Sequence, residues 1–343
     1  MRFKRIYSNM KILRTSAAAL LVFCAAFTFT VGKSGIAERG VSVLPAEYKG
    51  IITLWHIDGF EGGVGSRKQF LLSVSRGFEK TNSGVLVMAT DHTAESAENA
   101  MAEGRFPDLI SYGTGVNLSA LKPLETEKAS PTGVYNGETY AVPWCRGGYC
   151  LIENPYYTGK KGDGTLIVSQ GEYTQPLVAY ALSGRRTANA EIMSPMNAYV
   201  KFVSGKSRYM VGTQRDVNRL ISRSMDFTSK PLNEYNDLYQ YVSVTATDGI
   251  KARYAQAFVN YLLSDEVQSK LNVIGMFGCY SVTEYESPDM IALANAKSEY
   301  SVSAFSSKTF LAEMQIKGAA AAGGDEKEFL NIKNCLICLE KNF

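Results

Sequence analysis

Histidine and tryptophan are the scarcest side chains of this 343-residue chain, with two of each. The histidines, His56 and His92, have no partner pattern for a catalytic triad, and neither H-E-x-x-H nor G-x-S-x-G occurs, so zinc-protease and α/β-hydrolase chemistry have nothing to rest on. Charge of one sign is also lacking. The formal net charge is only +3, and beyond the first fourteen residues no dense Lys/Arg cluster exists, which excludes nucleic acid as a natural partner. Gly32-Lys33-Ser34 imitates the end of a phosphate loop, but Phe27 stands where its first glycine is required. The six cysteines form no zinc pattern: Cys335-x-x-Cys338 is half a site without a second pair, and on an amphipathic terminal helix the two read as small buried apolar residues. Cys145 and Cys150 bracket Gly147-Gly148 and either bridge a turn or lie along one strand too far apart to bond.

What is present begins with an export signal. Residues 1–14 carry Arg2, Lys4, Arg5, Lys11 and Arg14 without an acidic residue, and the run Ala17 to Val31 is uncharged. A basic n-region before an apolar h-region is the pattern of a secretory signal, with an uncleaved N-terminal anchor as the alternative. Met10 offers a second start, and Phe23 before Cys24 departs from a lipidation motif. Residues 38–343 suffice for two domains with their own cores.

Residues 50–116 set the fold class. Gly50 to Ile57, Val85 to Ala89 and Asp108 to Tyr112 read as strands, separated by helical patterns over Ser66–Lys80 and Ala94–Glu103. This β-α-β-α-β order predicts an α/β protein with right-handed crossovers and a mostly parallel sheet, whose ligands sit at the carboxyl ends of the strands.

Five segments in register then resemble a known family. They are Ile52–Gly63 (ITLWHIDGFEGG) with the helix ending Gly77–Lys80, Met101–Ile110 (MAEGRFPDLI), Tyr140–Trp144 (YAVPW), Lys201–Lys206 with Tyr209–Asp216 (YMVGTQRD), and Ala257–Gln268 (AFVNYLLSDEVQ). Together they resemble the bacterial extracellular solute-binding proteins, family 1 type, that serve ABC importers. The resemblance implies a two-lobed periplasmic-binding-protein-like fold that closes on a small solute. It also implies a carbohydrate as the solute, permease subunits in the membrane as partners, a monomer, no cofactor, no metal and no catalysis. The implied arrangement is lobe 1 over residues 48–142 and 243–343, including C-terminal helices that complete it or pack beside the hinge. Lobe 2 spans residues 143–242 and is reduced, because the chain between Asn154 and Met196 is shorter than in relatives. The protein is thereby expected outside the cytoplasmic membrane or in the periplasm. The alternatives are a membrane-held ligand sensor or degenerate scaffold, and thirdly a glycoside hydrolase using Asp58 and Glu61.

Candidate ligand residues follow from the strand-end rule. Asp58 and Glu61 stand among glycines in the loop after the first strand, and Gly113 and Thr114 occupy the loop after the third. Trp144, at a predicted strand end, is suited to stacking on a sugar face, and Arg215 after a predicted strand to forking onto an oxygen pair, as is Arg146. Tyr239 and Tyr241 fall on one face of their strand, with Tyr241 assigned to the cleft. Trp55 reads equally as core or ligand contact.

Overall fold

The computed structural model describes residues 48–157, 165–245 and 249–341. The export segment and the Gly159–Gly164 turn fall outside the described residues. The expected opening is present as β1 (Gly50–His56), α1 (Arg67–Thr81), β2 (Val85–Asp91), α2 (Ala94–Ala102) and β3 (Leu109–Tyr112). Both β2 and β3 pair with β1 in parallel. Ser66 starts α1 by accepting from the Gln69 N–H at 3.3 Å, and Thr93 closes a capping box with Ser96 at the head of α2. Along α1, Phe70, Leu71, Val74 and Phe78 recur at helical spacing and are all buried, which glues the helix to the sheet.

A short hairpin, β4 (Val134–Tyr135) and β5 (Glu138–Thr139), leads into β6 (Val142–Arg146). The chain then builds β7 (Tyr149–Glu153), β8 (Leu166–Ser169), α3 (Pro176–Leu182), β9 (Ala190–Met193), α4 (Pro195–Val203), β10 (Tyr209–Thr213), α5 (Gln214–Ser222) and β11 (Thr228–Pro231). It returns as β12 (Tyr239–Val244) and ends in α6 (Gly249–Leu262), α7 (Asp265–Gln268), α8 (Pro288–Asn295), α9 (Lys308–Ala322) and α10 (Glu326–Lys341). Two five-stranded sheets result, β2-β1-β3-β12-β6 and β11-β7-β10-β8-β9. Each has its own core. Ile57, Ile110, Tyr112 and Tyr241 pack in the first, and Ile152, Phe202, Met210, Val217 and Leu293 in the second. The second lobe is thus short in sequence yet carries as many strands as the first.

The chain crosses between lobes at Gly147-Gly148, at residues 232–238 and at residues 275–277, and these crossings are tied together. Gly147 N–H donates to Leu238 O at 2.7 Å, Asn236 Nδ2 donates to Gly147 O at 3.2 Å, and Arg146 and Phe277 exchange backbone hydrogen bonds of 3.0 Å in both directions. Strands β6 and β12 belong to the first sheet, which moves the lobe boundaries to about these crossings. The C-terminal helices do not simply complete the first lobe. Helix α8 packs on α5 and β11, and α9 runs along α3, where Gly318 lies so close to Val178 that a β-carbon would collide. The head of α9 reaches back to the first lobe, with Lys308 Nζ 2.8 Å from Glu98 Oε2. Helix continues through the alanines to Ala322, so the break falls at Gly323-Gly324 alone.

Candidate functional site

In both lobes the parallel strands end at a common cleft of about 900 Å³. The first lobe contributes the loops after β1 (His56 to Gly63), after β2 (Asp91 to Thr93) and after β3 (Thr114, Val116). The second contributes the segment after β8 (Gln170 to Thr174), Ser194 and Pro195 after β9, and Arg215 with Arg219 on the first turns of α5. Strand carboxyl ends thus line the cleft on both walls, where the strand-end rule looks for a ligand.

Asp58, Glu61, Thr114 and Arg215 all line this cleft. Asp58 Oδ1 accepts from His56 Nε2 at 3.0 Å and from Arg67 Nε at 2.9 Å. Partial burial opposes its charge, but the His56 hydrogen bond and the Arg67 guanidinium win and hold the carboxyl down at about 2. Glu61 forms an ion pair with Arg215 across the cleft, so two residues expected to face a ligand also face each other and join the lobes. These pairings lend no support to a glycosidase. That mechanism requires one carboxyl with a raised pKa as acid, whereas Asp58 is held ionised and Glu61 is matched to a guanidinium.

The remaining expected residues lie elsewhere. Trp144 is fully buried, its ring stacked on Phe70 at 5.9 Å between centroids and its Nε1 donating to Ser111 Oγ at 3.0 Å, so no face is left for a sugar. Tyr241 is also fully buried, packed beside Tyr112 at 5.9 Å in the first core, on the face of β12 that it shares with Tyr239. Gly113 serves packing: a β-carbon there, or on Gly59, would strike the other glycine's backbone. Arg146 lines a separate cavity of about 570 Å³ on the hinge side, together with Tyr239. Trp55 is half-buried and stacks on His92 at 4.3 Å. Cys145 and Cys150 are free, buried thiols on strands of different sheets, and burial pushes both well above the ordinary thiol range. Cys335 is half-buried, but Cys338 is exposed rather than buried.

Ser111 and Gln240 hold the β1–α1 loop in place. Gln240 Oε1 accepts from Gly59 N–H at 3.1 Å, which orients the amide so that Nε2 donates to Ile57 O at 2.8 Å and to Ser111 Oγ at 3.1 Å. With Trp144 also donating, both acceptor sites of the Ser111 hydroxyl are filled. Its proton is then left for His56 Nδ1 at 3.1 Å, so Nδ1 accepts and Nε2 carries the proton donated to Asp58. One defined His56 tautomer follows from this hydrogen-bond count. The sequence signal for both residues was a lone polar side chain inside a buried strand, which must be satisfied internally. Arg67, the first residue of α1, carries no such signal, yet it is buried with its guanidinium 4.4 Å over the Phe60 ring. Among the described residues no cluster of His, Cys, Asp or Glu could hold a metal ion, and no helix is long and apolar enough to cross a membrane.

Two α/β lobes, tied crossings and a cleft between strand ends make up the fold of the extracellular solute-binding proteins. Among solved structures, the GacH receptor of Streptomyces glaucescens, studied unliganded and with acarbose, is similar with a TM-score of 0.58 at 17% identity, covering 87% of this chain and 100% of that one. The maltose/maltodextrin-binding domain MalE from Bdellovibrio bacteriovorus, bound to maltotriose, gives 0.52 at 15% identity over 85% and 99%. Iron-bound HitA from Pseudomonas aeruginosa gives 0.55 at 14% over 78% and 99%. No protein-family model matches the sequence, and no curated protein matches it.

Proposed function

We propose that this protein is the exported, non-catalytic binding component of an ABC importer, which captures a small polar solute between its lobes and delivers it to a membrane permease. The observation that carries this reading is the cleft itself: polar side chains from both lobes meet there, and among the described residues the lobes are also joined by hinge crossings and packed C-terminal helices. A clamp built this way closes by small rotations at the crossings while each core stays intact. The segment resemblance and the sugar-binding neighbours support a carbohydrate or a close chemical relative as solute, and the basic, apolar N-terminal segment supports export.

Thermal-shift screening of the full-length chain in mild detergent, against sugars, oligosaccharides, sugar acids, amino acids and polyamines, tests this. A ligand that binds only the folded state raises the unfolding midpoint, by about 2.7 kcal/mol of added stability at a hundredfold excess over Kd. At least one compound is expected to do so, with the effect weakened in Arg215→Ala. A well-folded protein that responds to none would overturn the solute-binding reading.

A further inference from the structure

We infer that the solute carries an anionic group, a carboxylate or a phosphate, gripped by the guanidinium groups of Arg67, Arg215 and Arg219. Glu61 is the internal carboxylate that occupies part of that place. The inference rests on the solute-binding reading and names the chemistry of the solute.

Arg67 supplies the first observation. It is 4% exposed and lines the cleft, with Nε and Nη2 engaged by Asp58 and the Phe60 carbonyl, while Nη1 has no hydrogen-bond partner among the described residues. A buried guanidinium N–H without a partner is costly, and Arg67 belongs to the cleft lining, where a bound oxyanion would relieve that cost. Arg219 supplies the second. It lines the opposite wall, lies 5.2 Å over the Tyr199 ring, and among the described residues has no carboxylate within ion-pair distance. Arg215 supplies the third, because the Glu61 carboxylate already rests on it and demonstrates that this corner accepts an anion.

The cleft lining carries three guanidinium groups against four carboxylates, most of which are already paired. The carboxylates Asp58, Glu61 and Asp91 are matched to Arg67, Arg215 and Lys68, and Glu172 stands exposed at the rim. The amino ends of α2, α4 and α5 also open on the cleft and add positive potential. The rings in the described lining include Phe60, His92 and Tyr173, and neither tryptophan is among the lining residues. Both tryptophans point elsewhere, Phe60 is covered by Arg67, and the Tyr173 ring packs on Gly115. When a ligand oxyanion replaces Glu61 on Arg215, one carboxylate is exchanged for another, so the guanidinium stays paired while Glu61 turns to solvent, where its side chain is already 48% exposed.

Calorimetric titration of the full-length chain with ligands that differ by one charged group tests this: glucose, glucuronate and glucose 6-phosphate, then maltotriose and inorganic phosphate. An acid is expected to bind at least about tenfold to a hundredfold tighter than its neutral counterpart, as one charge-assisted contact implies. Glucuronate and glucose 6-phosphate separate the carboxylate from the phosphate. Arg219→Ala is expected to weaken the acid by a similar factor. Glu61→Gln, an exposed and conservative change, is expected to tighten the acid. A neutral sugar that binds as tightly as its acid, or a Glu61→Gln variant that binds the acid more weakly, overturns the anionic assignment and leaves the solute-binding reading standing. Binding by no compound, here or in the thermal screen, removes both.

Discussion

Trp144→Ala is expected to lower the unfolding free energy by about 3–5 kcal/mol, the cost of emptying a fully buried aromatic site. The indole fills the space between α1 and the first sheet, stacked on Phe70, and its N–H supplies one of the two donors to Ser111. Its backbone carbonyl, which accepts from Gln268 Nε2 at 2.8 Å, is kept in the variant, so the loss comes from the ring alone. Trp144→Phe retains the stacking partner and removes one hydrogen bond, and a smaller loss, about 1–2 kcal/mol, is expected. Urea denaturation with an unchanged m-value checks both. A loss below about 1 kcal/mol for the alanine variant, combined with abolished solute binding, would place the ring in the cleft after all.

The second large effect lies in the hinge. Asp237 is 4% exposed in the 232–238 crossing; its Oδ1 accepts from the Tyr149 hydroxyl at 2.7 Å, and Tyr149 Oη in turn accepts from Gln175 N–H at 3.0 Å. Its Oδ2 and the nearby Tyr235 hydroxyl have no partner among the described residues. Burial pushes the Asp237 carboxyl up to about 7, against the smaller downward pull of the Tyr149 hydrogen bond. Between about pH 4 and pH 7 the folded protein therefore holds a proton that the unfolded chain has released, and stability falls as pH rises through that window. The rise from 3.8 to about 7 corresponds to roughly 4 kcal/mol over the full window. Buried Asp216, pushed up to about 6, adds a loss of the same sign up to its own pKa. Asp58 acts oppositely, since its stabilisation is present above the ordinary carboxylate range and is lost as pH falls towards 2. Asp237→Asn is expected to flatten the decline between pH 5 and pH 7 and to stabilise the protein at pH 8. Unfolding midpoints across pH check this, and an unchanged slope would show that Asp237 is ionised and solvated in the folded state.

Much of the first lobe was legible because local and global signals coincide there. Ser66 and Thr93 cap helices whose apolar stripes face strands in the order the topology demands, and the strand-end rule then placed Asp58, Glu61, Thr114 and Arg215 at the cleft. Alternation in β12 indicated that Tyr239 and Tyr241 share a face but not which face, and the packing of that face beside Tyr112 is a tertiary feature with no sequence mark. Trp144 is a similar case: a strand-end aromatic serves a core and a cleft equally well by composition, and only the Phe70 and Ser111 contacts decide between them. The Glu61–Arg215 pair and the unpartnered Nη1 of Arg67 depend on how distant segments meet, which no local pattern encodes.

Hydrogen–deuterium exchange with and without a solute identified by the thermal screen tests the clamp most directly, because each wall of the cleft reports separately. The expected result is simultaneous protection of the loop at residues 57–63 in the first lobe and of residues 170–175 and 213–216 in the second, accompanied by changed exchange at the 232–238 crossing. Protection confined to one lobe, with the other wall and the crossing unaltered, would contradict capture between two closing lobes.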